Sequence, residues 1–457
     1  MMQNIIRDKA FYRNVAMLSW PVMTQNLLNH SLAFLDSFMV GSLGERYLSS
    51  VSLANTVFFM TMLTLFGLQS GSSVLISQYY GKGDNASINR VMGIGFGLSL
   101  LVTVPIALML SFFSLQVYSL TSNDMELAII AAEFGRIAAP SIVFNAISIL
   151  YLAAHRSMEN PRVGMYILGC SMALKTFLNW VLIFGMLGAP AMGIRGAALA
   201  TLLARIFEFI VTFSYALLNK RFRLLPKALF RPGKIILKDY LKYSLPVVIN
   251  EAFWGFGASL YTVIFGHLHN AMESLATYAI VMNVERMVGS LHSGLGHVAA
   301  ILVGKELGAG RKESAFKTGV SMMAVTTGTG VLSFLLLASL SHVFTLRYIF
   351  PLFGASAQTI EIGGTVVLIG AALMPFRAFN FCGIVGLLRG GGDARGGMVI
   401  DVLCMYLVAI PLAALAGLVL QAPTHIVFLM VCMDELTKAF CVLWRLRQRK
   451  WLQNITR

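Results

Sequence analysis

Long apolar runs, each broken by a short turn carrying glycine or charge, recur along nearly the whole chain. Val91 to Val117 and Thr318 to Leu340 are clear cases, and each exceeds the ~20 residues a helix needs to cross the hydrocarbon core. The pattern predicts twelve spans, at 15–40, 48–76, 91–118, 129–153, 163–187, 193–218, 240–266, 274–303, 318–344, 361–386, 396–419 and 424–444. The 48–76 and 274–303 runs are longer than a perpendicular crossing requires, which predicts tilt or a bend.

Composition agrees with this pattern. Of 457 residues, 57% are hydrophobic and 12% charged, about half the charge of a soluble domain. No cleavable signal peptide is expected, because the opening MMQNIIRDKAFYRN is polar and basic and no small-residue cleavage pattern follows the first span. With the N-terminus placed in the cytoplasm, 26 of the 35 Lys and Arg residues fall on inside segments. Three (Arg46, Arg195, Arg347) fall outside and six lie within spans. This asymmetry predicts two cytoplasmic termini. The net charge of +15 is therefore a topology signal, spread over seven short segments, and no nucleic-acid partner is expected. The five cysteines all lie in apolar spans, with no CxxC, and read as packed thiols rather than metal ligands or disulfides.

The chain also repeats itself. SWPVMTQNLLNHSLAFLDSFMVG (19–41) resembles SLPVVINEAFWGFGASLYTVIFG (244–266) at an offset of 225. LISQYYGKGDNASINR (75–90) finds a counterpart in LVGKELGAGRKESAFK (302–317), and HRSMENPR (155–162) in LRGGGDAR (388–395). Six spans plus six give two halves of the same orientation. The expectation is an all-α membrane protein of two six-helix lobes, related by a pseudo-two-fold axis along the membrane normal. The lobes are placed at 1–218 and 240–457, joined by a basic cytoplasmic linker at 219–239.

These residues resemble the multidrug and toxic compound extrusion (MATE) transporters. The resemblance rests on WPVMTQNLL and LDSFMVGSLG in the first span, SQYYGKGD after the second, GIRGAALATLLARIFE, LPVVINEAFWGFG, VGKELGAG and LLRGGGDAR. It covers nearly the whole chain from Ser19 onward. It implies a multi-pass protein of the cell membrane that exports small amphiphilic, often cationic, compounds by proton- or sodium-driven antiport. The residues agree about energy source, since no GxxxxGK[ST] phosphate loop occurs, and GKGD and LRGGGD read as tight turns. No enzyme activity and no cofactor beyond H+ or Na+ is expected, and the chain is expected to act as a monomer. A lipid-linked oligosaccharide or polysaccharide flippase shares the architecture and is the alternative. It would need a basic, hydrated cavity lined by Lys175, Arg205, Arg286 and Arg377.

Charges inside spans are costly and mark candidate sites. Gln25, Asn29 and Asp36 fall within about 40° of one another on one helical stripe, as a cavity-lining face would. Glu251 lies eleven residues into the seventh span, near mid-bilayer. Lys175 and Asn179 lie one turn apart in the fifth span, with Lys175 able to neutralise Asp36 or to pair with Glu208 of the next span. The resemblance implies ion coupling at Asp36, Asn179 and Glu251, with sodium at Asp36 and Asn179 or at Glu251. The NorM-like branch carries an Asp where this chain has Ala378, so its full sodium set is incomplete here. Tyr261, at the repeat position of Asp36, and Asn283, Arg286, Arg377 and Asn380 complete the candidate cavity residues. Arg136 with Glu133 and Arg205 with Glu208 read as intrahelical pairs, and His267 with His269 as a weak metal motif.

Overall fold

The computed structural model describes residues 5–122, 124–219, 222–231 and 233–456. Lys220 and Arg221 of the basic linker, and Met1 to Asn4 of the polar start, lie outside the described residues. All regular structure among the described residues is helical. In chain order the main helices are α1 (Lys9–Gly41), α2 (Glu45–Lys82), α3 (Asn85–Phe112), α4 (Met125–Ala138), α5 (Ser141–Ser157), α6 (Pro161–Phe184) and α7 (Ile194–Leu218). They continue as α8 (Lys234–Gly266), α9 (Ala271–Gly308), α10 (Lys312–Leu340), α11 (Ala357–Arg389), α12 (Ala394–Val419), α13 (Thr424–Val431) and α14 (Met433–Arg447).

Among the described residues, nine helices are long and apolar enough to cross a membrane, and the α4–α5 pair brings this to ten. That pair bends by 52°. The bend falls at Pro140, which has no amide hydrogen to continue the ladder. Two expected spans fall short of the same standard. The 15–40 segment lies in the continuous 33-residue α1, whose Thr24, Gln25, Asn26, Asn29 and His30 dilute its apolar character. The 424–444 segment is divided at Cys432 into α13 and α14, and α14 opens with Asp434, Glu435 and Lys438.

The sequence repeat is visible in the turns. Gly83 closes α2 at φ 80° and its counterpart Gly310 follows α9 at φ 78°, a conformation that costs glycine nothing. Asp84 then caps α3, accepting from the Ser87 amide at 2.9 Å and the Ser87 hydroxyl at 2.7 Å. Burial alone would raise the Asp84 carboxyl, but those bonds and the nearby Lys82 hold it below the usual carboxylate range. The third repeat pair behaves alike: Glu159 takes φ 58° where the second half has Gly392 at φ 90°.

The chain forms two compact units, Thr24–Val248 and Met1–Met23 with Ile249–Arg457. The linker thus groups with the first unit. Helix α1 is divided between Met23 and Thr24, and α8 between Val248 and Ile249, which are corresponding positions of the repeat, two residues beyond Pro21 and Pro246.

Within the Thr24–Val248 unit, α2 meets the start of α8 at Gly67. A Cβ there would lie 2.5 Å from Val248 Cγ2 and 2.6 Å from its Cα. The Tyr240 hydroxyl adds a bond to the Leu68 carbonyl at 2.9 Å and lies 2.9 Å from Ser72 Oγ. Within the other unit, the repeat partner Gly294 of α9 meets Met23 of α1, with an added Cβ 2.6 Å from Met23 Cγ. Here the surroundings are apolar: Val15, Leu18 and Val22 pack with Leu295, Val298, Ala299 and Leu302. Small residues let helix backbones approach closely, so van der Waals contact replaces the hydrophobic force that lipid does not supply.

Gly67→Val and Gly294→Val should each lower the thermal midpoint of detergent-purified protein, by the ~1–3 kcal/mol typical of overpacking. Gly97→Ala, where an added Cβ meets nothing within 4 Å, should leave it unchanged or slightly higher. Equal midpoints for all three would remove the close-approach account.

Candidate ion and substrate site

In the Thr24–Val248 unit, α6 begins with Pro161 at its first turn and ends at Gly185, φ 73°. Ser171, Lys175 and Asn179 follow one another at four-residue spacing and form one stripe along it. The Lys175 ammonium contacts Asp36 Oδ2, and Asn179 Nδ2 donates to Asp36 Oδ1 at 2.7 Å. Both oxygens of the carboxylate are therefore engaged. The Lys175 and Asp36 side chains are each about a quarter exposed (26% and 25%), whereas Asn179 is buried and its Oδ1 has no hydrogen-bond partner.

Lys175 leaves Glu208 to others. Arg205 Nη1 lies 2.6 Å from Glu208 Oε2, and the Ser171 hydroxyl donates to the same oxygen at 3.3 Å and to the Ala204 carbonyl at 3.0 Å. The Arg205–Glu208 pair is intrahelical, as its spacing predicts. Glu133 is not: it takes a two-pronged bond from Arg195, at 2.8 and 3.2 Å, in place of Arg136. A guanidinium fork facing both carboxylate oxygens is a stronger arrangement than one turn of helix offers.

The expected polar stripe of α1 does not share one environment. Gln25 is buried and donates to the Pro161 carbonyl at 3.0 Å, tying α1 to the first turn of α6. Asn29 is exposed and Asp36 partly buried. A drift of about 40° around a helix is enough to separate them.

The Ile249–Arg457 part of the other unit holds a denser set of charges. Glu251 Oε1 accepts from Arg389 Nη2 at 3.1 Å, with Arg389 almost wholly buried. The preceding residue, Asn250, donates to Asp401 Oδ2 of α12 at 2.9 Å. Lys438 of α14 then bridges Asp401 Oδ1 at 2.7 Å and Asp434 Oδ2 at 2.8 Å. Arg377 contacts Glu285 and donates to Cys432 Sγ at 3.5 Å. Asn380 donates to the carbonyl and the carboxylate of Glu435, both at 2.7 Å. Tyr261 is buried with no partner for its hydroxyl. Asn283 is exposed and spends its amide on the Ala279 carbonyl of its own helix, and Arg286 is exposed. The two histidines of the HxH motif go separate ways, His267 Nδ1 to the Val263 carbonyl and His269 Nδ1 to Gln421 Oε1.

Asp401, Asp434, Glu435, Lys438 and Asn250 were not singled out by the sequence. They come from three helices and share no local spacing apart from Asp434–Lys438 and Glu435–Lys438. The usable signal was charge in an apolar setting, inside α12 and at the opening of α14.

Comparison with known proteins agrees with this architecture. The MatE family profile matches residues 21–181 and 246–415. A probable multidrug resistance protein NorM of Bradyrhizobium diazoefficiens is 26% identical over 424 residues, 90% of this chain and 87% of that one. Its namesake in Thermotoga maritima is 25% identical over 401 residues, covering 87% and 83%. A solved structure described as the outward-facing conformation of a multidrug resistance MATE family transporter shares the fold, with TM-score 0.86, 16% identity and coverage of 98% and 99%. The chain belongs to the MatE family of transporters and is a multi-pass membrane protein.

Breaking a buried pair leaves an uncompensated charge. Glu251→Leu and Arg389→Met should each destabilise the purified protein, by about 3 kcal/mol, while the two together should recover most of the loss. Additive losses in a thermal-unfolding cycle would show that the two groups do not depend on each other.

Proposed function

We propose that this MatE chain is a secondary active antiporter of the plasma membrane, exporting amphiphilic, often cationic, drugs or metabolites by alternating access. Its proposed form is a monomer of twelve spans in two six-helix lobes, related by a pseudo-two-fold axis along the membrane normal, with both termini cytoplasmic. The corresponding contacts at Gly67 and Gly294 and the matched turn conformations support the axis. The distribution of Lys and Arg supports the orientation. The multidrug names of the relatives support the substrate class.

The observation that carries the reading is the Asp36 carboxylate held between Lys175 and Asn179. A proton on Asp36 cancels its charge and leaves Lys175 as an unpaired ammonium between apolar helices, at a cost of several kcal/mol. The ammonium must then gain water or another partner, which favours a different packing of α1 on α6. A substrate with higher affinity for one of the two packings converts this switch into coupled transport. Lys175 and Asn179 engage both carboxylate oxygens, so sodium would have to displace Lys175. The arrangement therefore supports a proton as the coupling ion. Glu251 and Asn179 keep supporting roles in the proposal, Glu251 through its pairing with Arg389. Gln25, Tyr261, Asn283, Arg286, Arg377 and Asn380 stand as weaker cavity candidates, since several are committed to protein partners.

The flippase reading is not favoured. Three of the four basic residues it needs, Lys175, Arg205 and Arg377, are paired with carboxylates.

In proteoliposomes, Asp36→Asn should abolish substrate-induced proton movement while the protein stays folded. Glu251→Gln should reduce it if the second lobe shares the coupling and leave it intact otherwise. Unchanged coupling in Asp36→Asn would remove the role assigned to that carboxylate.

A further inference from the structure

One ammonium in the Ile249–Arg457 part answers two carboxylates. Lys438 Nζ lies 2.7 Å from Asp401 Oδ1 and 2.8 Å from Asp434 Oδ2, and the three side chains are only 8%, 18% and 12% exposed. The four-residue spacing of Asp434 and Lys438 on α14 presets one of these contacts. Asn250 secures the other carboxylate, donating to Asp401 Oδ2 at 2.9 Å. Its own Oδ1 is buried, at 2% residue exposure, and accepts no hydrogen bond. The two carboxylates are hard oxygen donors of the kind that bind alkali or alkaline-earth cations. The cation already present is a side chain.

We infer that Lys438 is a tethered cation, occupying with its ammonium the place between Asp401 and Asp434 that a free monovalent cation would otherwise take. Two carboxylates share this one ammonium, and no cationic side chain other than Lys438 is bonded to either Asp401 or Asp434 among the described residues. Without Lys438 two negative charges would face each other in a low-dielectric interior, and a small cation would be drawn in to compensate them. The tether makes occupancy permanent and independent of the ions in solution. This inference goes beyond the transport reading and does not depend on it, because its test reads stability rather than flux.

The test compares thermal midpoints of wild type and Lys438→Ala in sodium, methylammonium and choline chloride at equal ionic strength. Wild type should be the same in all three within about 1 °C. Lys438→Ala should fall in choline and regain at least about 2 °C in sodium or methylammonium, through binding to the folded state. Adding Asp401→Asn to Lys438→Ala should abolish that gain. Where Lys438→Ala is too unstable to purify, recovery of folded protein on extraction in sodium or methylammonium but not in choline supports the inference, and equal failure in all three overturns it. It is also overturned by a folded Lys438→Ala with no cation-specific gain, or by a sodium-specific rise in wild type that Asp401→Asn removes.

Discussion

A charge between apolar helices must be answered by an opposite charge or by water. In this chain that requirement organises the interior of each unit. Asp36 is answered by Lys175, Glu208 by Arg205, Glu251 by Arg389, Glu285 by Arg377, and Asp401 with Asp434 by Lys438. Each pair crosses helices or locks one turn, so the same contact that lowers the cost of burial also fixes helix rotation. Rotation in turn decides which small residues face which backbone. The close approaches at Gly67 and Gly294 are the small-residue contacts of the two units.

The two units meet the requirement differently. In Thr24–Val248 the central carboxylate is reachable, a quarter exposed, and has one ammonium and one amide donor. In the Ile249–Arg457 part the carboxylates are more numerous and more enclosed, with arginines and one lysine among them. The Asp36 carboxylate is held by two side chains of one helix, Lys175 and Asn179. An enclosed network resists change, because each member leans on the next.

Much of this was legible in the sequence where signals are local. Run length located nine crossing helices, and the bent pair at Pro140 made a tenth. The other two expected spans, the unbroken α1 with its polar stripe and the last segment with its break at Cys432, fall short of the same measure of length and apolarity. Asn179 could be set near Asp36 from the family resemblance and its matching depth, and the sequence leaves Lys175 open between Asp36 and Glu208. The choice of Asp36 over Glu208 could not be read there, because it depends on Ser171 and Arg205 already serving Glu208. Glu133 shows the same limit: i,i+3 spacing points to Arg136, whereas the fold supplies the better fork of Arg195. The Asn250–Asp401–Lys438 set joins positions about 150 and 37 residues apart, which no periodicity encodes.

The division of α1 and α8 has a consequence for biosynthesis. Val15, Leu18 and Val22 leave the ribosome first, yet the core they complete contains Leu295, Val298 and Leu446. At ~5–20 residues per second the leading segment therefore waits tens of seconds for its partners. Severing the gene at the linker would not yield two self-sufficient fragments. Each would lack the opening turns of a helix that belongs to its core, and each would display an apolar surface suited to the missing piece. Co-expression, rather than sequential refolding, is the route by which such fragments would find each other.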